Sequence, residues 1–215
     1  WKLNLISKMT NYFTLIFFIN TLIFSQHLMP MVTVDSVGVI KEIEYYRIKT
    51  NKISLVKKEE FYKNGQKKSE INYEKKQRNG LLRGWDKFGN IKKEEFYKND
   101  LKNGLCFYWF SNGQKKEEII FKNGKKNGLF YGWYENGNKK CEINYKNDFK
   151  DGLCIYWYQN GNKKGEENWD SSIPIGLWTQ WHENGRPYSE SVFRAGSLTS
   201  KDCWDEKGSK TDCLY

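Results

Sequence analysis

Short runs of apolar and aromatic residues alternate with polar turn residues along most of this chain, and the pattern repeats every 24 residues. Two series of glycines keep this step, and each glycine of the second series is followed by Leu. The first series is Gly65, Gly89, Gly113, Gly137, Gly161 and Gly185, with Gly208 after 23 residues, and the second is Gly80, Gly104, Gly128, Gly152 and Gly176. Self-similarity at a fixed period indicates a stack of supersecondary units.

The unit from 104 to 126 predicts one β-hairpin. Its first run, from Leu105 to Phe110, has the aromatic and apolar composition of a strand. Asn112-Gly113 then predicts a type I′ turn, because that turn needs positive φ at both central residues. A longer break follows the second strand, and the next strand is expected to start at the following Gly-Leu pair.

A lone hairpin is marginal in water, so neighbouring units are expected to pair into one sheet. The predicted fold is all-β, an elongated single-layer antiparallel meander of tandem 24-residue hairpins. Phe107 and Trp109 are expected on one face, and Cys106 and Tyr108 on the other. Because a thin sheet has no second layer, we expect large rings, the tryptophans above all, to supply the buried core.

Six glutamates share one register: Glu70, Glu94, Glu118, Glu142, Glu166 and Glu190. Catalysis by carboxylates needs an unlike pair with separated pKa values, whereas this is one position copied six times. We therefore expect each glutamate to pair with a lysine or to accept hydrogen bonds from the neighbouring hairpin. No nucleophile motif or phosphate-binding loop occurs, so catalytic and cofactor sites are predicted to be absent.

Lysine pairs follow the hairpin turns and account for much of the formal net charge of +10. They are Lys67-Lys68, Lys92-Lys93, Lys115-Lys116, Lys139-Lys140 and Lys163-Lys164. One interpretation is a lysine edge that binds an anionic surface, such as lipid headgroups. The other is that these lysines keep an aromatic-rich sheet soluble. Nucleic acid is disfavoured, because a lysine spacing of ~10 Å does not match the phosphate spacing of one DNA strand, ~7 Å.

The repeated units resemble MORN repeats of the bacterial variant type, in the form Gly-Leu-x-x-x-Trp, Asn-Gly-x-Lys-Lys and x-Glu-x-x-Tyr. The resemblance covers residues 57–215 in six to seven units, with atypical first and last copies. It implies a β-hairpin ribbon that binds proteins or membranes without catalysis. Bacterial chains of this type are often labelled antitoxin-like components of toxin–antitoxin systems.

Residues 1–26 read as a secretory signal that starts at Met9, because the apolar run Tyr12 to Phe24 is too short to span a bilayer but has the length of a signal-peptide core. Export to the periplasm, the outer membrane or the medium is expected if the signal is used, and a cytoplasmic location otherwise. Residues 27–56 are either an N-terminal cap of extra strands or a linker.

Five cysteines are present, and Cys203 and Cys213 flank the last turn almost symmetrically, which makes them candidates for a disulfide. Cys106 and Cys154 share a register two units apart and are expected to fill the core. With only His27 and His182 and no Cys-x-x-Cys, a metal site is not expected.

The predicted function is a non-catalytic scaffold for a protein partner or for self-association outside the cytoplasm. The alternatives are an antitoxin-like partner of a toxin and binding of an anionic membrane surface through the lysine edge. An exposed aromatic face usually marks an interface. The candidate partner-binding residues are Trp85, Trp109, Trp133, Trp157, Trp181, Tyr108, Tyr134, Tyr156 and Tyr158.

Overall fold

The computed structural model describes residues 28–49 and 52–213, and within these ranges it contains strands and no helix. The predicted all-β open antiparallel meander is confirmed. The seventeen strands are β1 (Leu28–Val34), β2 (Ile40–Lys49), β3 (Lys52–Phe61), β4 (Lys67–Glu74), β5 (Gln77–Trp85), β6 (Ile91–Lys98), β7 (Leu101–Lys102), β8 (Gly104–Trp109), β9 (Lys115–Lys122), β10 (Lys125–Trp133), β11 (Lys139–Lys146), β12 (Phe149–Trp157), β13 (Lys163–Asp170), β14 (Ile173–Trp181), β15 (Pro187–Arg194), β16 (Ser197–Trp204) and β17 (Lys210–Thr211).

The chain divides into two compact units, residues 1–101 and 102–215, and the boundary falls within β7. In unit 1 the strands β1 to β6 pair one after the other. In unit 2 the strands β8 to β17 do the same. Each unit is thus an antiparallel meander that repeats one hairpin.

The stretch whose sequence allowed either a cap or a linker carries β1 and β2. These strands pair antiparallel, with Met31 opposite Glu44 and Val32 opposite Ile43, and β2 pairs with β3 in turn. The meander of unit 1 therefore begins before the first repeat that is recognisable in the sequence. The predicted signal segment lies outside the described residues.

The Asn-Gly turns are not type I′, which corrects the prediction. Gly113 has a φ of 85°, but Asn112 is not in the left-handed region. The N–H of Phe110 donates to Gln114 O at 2.8 Å, and the N–H of Gly113 donates to Phe110 O at 3.0 Å. This is the three-residue loop, a type I turn followed by a left-handed glycine.

The side chain of the turn asparagine stabilises this geometry with two hydrogen bonds. Asn112 Oδ1 accepts from the N–H of Gln114 at 3.0 Å, while its Nδ2 donates to Glu135 O, in the next turn, at 3.0 Å. Asn136 and Asn160 repeat the inter-turn bond, to Gln159 O and Glu183 O, each at 3.0 Å. The 24-residue step thus becomes a ladder of amide hydrogen bonds that links successive turns of unit 2.

The type I′ turns occur instead at the second break of each repeat. Between β11 and β12, Asn147 and Asp148 have φ values of 52° and 74°, and the turn has only these two residues. The prediction of a longer break between the second strand of one repeat and the first strand of the next was therefore wrong. Gly128, with a φ of 118°, lies inside β10, where the register with β9 shifts. A glycine bulge lets the strand continue after this irregularity.

The buried core of unit 2 is made of small and aliphatic residues on one side of the sheet, which we call the core face. Cys106 and Cys154 have no exposed surface, which confirms their predicted core-filling role. Ile119 lies opposite Cys106, and Ile143 lies opposite Cys154. In unit 1 the same face carries Leu82, Glu95 and Tyr97, which are also buried.

The tryptophans, by contrast, are half-buried rather than core columns, which corrects the prediction. Each ends a strand, and the register shifts immediately before it, as between Tyr156 and Trp157. The ring is therefore beside a turn, at the border of the sheet. The residues with the least exposed surface are instead small ones, such as Cys106, Cys154 and Ser189.

Candidate binding trough

The face that carries the glutamate register, here the glutamate face, takes up the first lysine of most pairs. Its ion pairs join Lys67 with Glu70 at 3.0 Å, Lys115 with Glu118 at 2.7 Å, Lys139 with Glu142 at 3.0 Å and Lys163 with Glu166 at 2.5 Å. Glu94 pairs with Arg83 at 2.8 Å, and Glu190 has no ion pair in the described part of the chain. The expected structural role of these glutamates is confirmed where the ion pairs form.

The pair Lys92-Lys93 is shifted by one position relative to the other lysine pairs, a shift that was not predicted from the sequence. Ile91 pairs with Trp85, so it occupies the position of Lys67 or Lys115. Lys92 therefore belongs with the second lysines, and Lys93 lies on the core face, where it pairs with Glu95 at 3.0 Å. We call the second-lysine position of each repeat the trough row: Lys68, Lys92, Lys116, Lys140 and Lys164.

In unit 2 the lysines of the trough row contact aromatic rings, whereas the first lysine of each pair contacts a carboxylate. Lys116, Lys140 and Lys164 are exposed and have no ion pair among the described residues. Instead their Nζ atoms lie over aromatic rings, at 5.8 Å from Phe110, 5.7 Å from Tyr134 and 5.4 Å from Tyr158. These are loose contacts of exposed cations, so the charges remain available to a ligand.

A trough of about 520 Å³ opens on the core face of unit 2. Its floor includes the buried Cys141 and Gly165, and the space above these two small residues is empty. The full lining is Tyr134, Lys140, Cys141, Tyr156, Trp157, Tyr158, Lys164, Gly165, Glu167, Gln180, Trp181 and Tyr188. These residues come from the end of β10 to β15, so the trough runs across the strands.

The tyrosines of the trough are held by the repeat itself. Tyr134 Oη donates to Trp157 O at 2.8 Å, and Tyr158 Oη donates to Trp181 O at 2.8 Å. Burial raises the pKa of both Tyr134 and Tyr158 above the ordinary value, so both hydroxyls stay protonated donors. Each ring is thereby fixed against the next repeat, one step along the trough.

The one carboxylate of the trough lining is already neutralised. Glu167 Oε2 lies 3.2 Å from Lys150 Nζ and accepts from Trp169 Nε1 at 2.9 Å. Lys150 also donates to Tyr156 Oη at 2.6 Å. Burial, together with the charge of Glu167, raises the pKa of Tyr156. The exposed charge of this trough is therefore that of Lys140 and Lys164.

Unit 1 has a smaller trough of about 320 Å³ at the same repeat positions, bordered by Tyr62, Lys68, Trp85 and Lys92. Its lining includes Glu60, which accepts from Ser69 Oγ at 3.1 Å and lies 3.9 Å from Lys58 Nζ. The position of Tyr134 and Tyr158 is occupied in one repeat by Asp86. This aspartate accepts from the N–H groups of Phe88 and Asn90 and is committed to the turn.

The trough brings together about half of the partner-binding residues predicted from the sequence. Trp157, Trp181, Tyr134, Tyr156 and Tyr158 line it, and Trp85 borders the trough of unit 1. Trp109, Trp133 and Tyr108 line neither trough. The rings of Trp109 and Trp133 pack on Phe107 and Tyr131, at 5.8 and 6.0 Å, and Tyr108 Oη accepts from Lys102 at 2.7 Å.

The residues at the floor of the trough and at its far end were not predicted from the sequence. Cys141 and Gly165 are small residues one repeat apart at the same register, a signal that could have been read. Tyr188 occupies the trough-row position of the next repeat and packs on His182, with ring centroids 5.0 Å apart. The trough row of unit 2 thus ends in an aromatic pair.

The cysteines offer no reactive site. Cys203 and Cys213 form a disulfide with Cα atoms 5.3 Å apart. Burial raises the pKa of the Cys141 and Cys154 thiols, which disfavours the nucleophilic thiolate. Within residues 28–49 and 52–213, no group of three His, Cys, Asp or Glu side chains is arranged to hold a metal ion. The same ranges contain no helix long and apolar enough to cross a membrane.

A family model described as MORN repeat variant matches the chain in five tandem segments, residues 57–75, 78–99, 102–123, 126–147 and 150–171. The chain belongs to this MORN repeat variant family. MORN repeats commonly serve as non-enzymatic scaffolds for protein or membrane interactions. The hairpins of β14 to β16 continue the MORN pattern past the last matched segment. A comparison with curated proteins finds no match.

Proposed function

We propose that this MORN repeat protein is a non-catalytic scaffold that holds a protein partner in the trough of unit 2. The observation that carries the proposal is the combination of half-buried rings with lysines that have no ion pair in the described ranges. A concave, mostly aromatic site with a few convergent polar groups is the usual form of a binding site. The charges of Lys140 and Lys164 then supply orientation and an increased association rate.

We further propose that the protein acts outside the cytoplasm. The support is the apolar segment before Gln26, which has the length of a signal-peptide core. The disulfide between Cys203 and Cys213 agrees with an oxidising compartment, since such bonds are rare in the cytosol.

The membrane-surface alternative loses part of its support. That alternative requires both lysines of each pair to be available to anionic lipid, but the first lysines of unit 2 are neutralised by Glu118, Glu142 and Glu166. The antitoxin-like alternative rests on the labels of similar chains, and no feature of the trough favours it.

The test is capture of partners from a cell-envelope extract by the immobilised full chain. The variant Lys140→Gln/Lys164→Gln removes the trough charges, and Lys139→Gln/Lys163→Gln is its matched control on the adjacent positions. We expect a specific protein to be retained by the control and lost from the trough variant. Equal capture by both variants would contradict the proposal, and binding only to anionic vesicles would favour the membrane alternative.

A further inference from the structure

We propose, on the basis of the proposed function, that the trough of unit 2 binds an acidic polyproline-II segment with a carboxylate at every third residue. The ligand would lie across the strands, place its carboxylates on Lys140 and Lys164, and pack its prolines against the rings. Spacing, width and the absence of free backbone groups each support this choice.

The spacing of the lysines matches the repeat of a polyproline-II ligand more closely than that of a β-strand. Lys140 and Lys164 occupy equivalent positions on β11 and β13, two strands apart. Two strand spacings make roughly 10 Å. A polyproline-II helix has three residues per turn and rises ~3.1 Å per residue, so every third side chain returns to the same side after ~9 Å. An extended β-strand returns its side chains after about 7 Å instead.

The width of the trough favours a single extended chain. The lining runs from the end of β10 to β15, about five strand spacings or roughly 24 Å. An α-helix is about 10 Å across with its side chains, so over this length it needs more room than a single extended chain in a trough of about 520 Å³. About eight residues of a polyproline-II segment span the same length.

The backbone of the trough is also closed to a β-strand ligand. Strands β11 to β14 each pair on both sides, so their N–H and C=O groups are already bonded. Recognition must therefore use side chains. Polyproline-II ligands are recognised in this way, by grooves lined with aromatic rings. Tyr134, Tyr158 and Trp181 supply such rings.

The charges favour carboxylates over other side chains. Lys140 and Lys164 have no ion pair in the described part of the chain, and Glu167 is occupied by Lys150 and Trp169. A ligand carboxylate thus meets cations without a competing acid. Basic ligands gain no partner in this lining.

The experiment uses the full chain and fluorescent synthetic peptides, with binding followed by anisotropy. The test peptide has five Glu-Pro-Pro triplets. One control peptide has the same composition with its glutamates consecutive, and another replaces every proline with glycine. We expect the test peptide to bind several-fold more tightly than both controls, and high salt to weaken it.

The protein variants test the location. Lys140→Gln/Lys164→Gln should weaken the test peptide about tenfold, since two partly exposed ion pairs are lost. The matched variant Lys139→Gln/Lys163→Gln should change the affinity by less than about threefold. Circular dichroism checks that both variants keep their strands.

Three results would overturn the inference: equal affinity for the peptide with consecutive glutamates, equal effects of the two variant pairs, or tighter binding of a helical peptide with glutamates every seven residues. Lysine-dependent binding to vesicles of anionic lipid without peptide binding would assign the trough to membranes instead. If the peptide fails while a native partner is still lost from Lys140→Gln/Lys164→Gln, the ligand class is wrong and the scaffold function stands.

Discussion

The two units differ in how their lysines and carboxylates pair. In unit 1 the glutamate face carries a shared ion network, in which Glu59 contacts Lys57 at 2.8 Å and Lys67 at 2.6 Å, and its trough contains Glu60. In unit 2 the lysines of the glutamate face each have one acidic partner, and the trough lysines have none in the described ranges. The difference teaches that a lysine of this repeat serves stability or binding according to the acidic side chains within its reach.

The largest expected effect concerns Glu59, the buried carboxylate of the unit 1 network. Glu59→Gln should lower the free energy of unfolding by roughly 2–3 kcal/mol, because buried hydrogen bonds from two lysines and from Tyr45 lose their charged acceptor. By comparison, Glu142→Gln, on the glutamate face of unit 2, should cost less than about 1 kcal/mol, since its ion pair with Lys139 is partly exposed. Urea titrations followed by circular dichroism measure both. Equal losses would remove the distinction between the units.

The same carboxylate predicts an acid dependence. Burial alone would raise the pKa of Glu59, but hydrogen bonds from Lys57, Lys67 and Tyr45 lower it from 4.5 to about 2. Because the pKa is lower in the folded state, this contribution is present above pH 4.5 and is lost as the pH falls towards 2. The difference in unfolding free energy between the wild type and Glu59→Gln should therefore shrink over that range. A constant difference would contradict the lowered pKa.

A smaller effect is expected at the glycine that precedes the repeat tryptophan. A Cβ at Gly132, in unit 2, would lie 2.8 Å from Cys141 Sγ, whereas a Cβ at Gly84, in unit 1, would meet Lys93 Cγ at 3.0 Å. Gly132→Ala should cost about 1–3 kcal/mol, because the new methyl group and the Cys141 thiol cannot both keep their positions at that distance. Gly84→Ala should cost less, since the Lys93 chain can rotate away. Thermal unfolding of the two variants provides the comparison, and the reverse order would contradict it.

The smallest effect is expected for the trough lysines themselves. Lys140→Gln and Lys164→Gln should each change the free energy of unfolding by less than about 0.5 kcal/mol, because neither lysine has an ion pair in the described structure. Lys67→Gln, which removes a cation from Glu59 and Glu70, should cost more. Urea titration tests this directly. A large loss at Lys164 would mean that the lysine stabilises the fold and is less available to a ligand.

Much of the fold could be predicted from periodicity, and much of the site could not. The two glycine series and the strand composition were enough to predict the hairpin meander. The register of Glu118 and Glu142 was enough to predict that they pair with lysines. The turn types were exchanged, because Asn112 uses its side chain to bond the next turn instead of adopting a left-handed backbone. A long-range contact of that kind is invisible in a local dipeptide signal.

The face of the sheet on which each lysine lies also depends on contacts between strands. Adjacent residues of a regular strand point to opposite faces of the sheet, but the register shift before each tryptophan decides which lysine reaches an acid. At Ile91 a shift of one position moves Lys93 to the core face. The trough itself needed Cys141 and Gly165 to be placed on either side of Tyr156, which only pairing across repeats accomplishes.

The sequence by itself determined the repeat, the strands and the family, because a 24-residue copy of one hairpin leaves few other ways to bury its apolar residues. The tertiary structure decided which residues are buried and which charges remain available. The physical reason is that burial and ion pairing depend on the register between paired strands, including the shift before each tryptophan. Cys106 and Cys154 became the core, the tryptophans moved to the border of the sheet, and Lys140 and Lys164 were left facing an open trough.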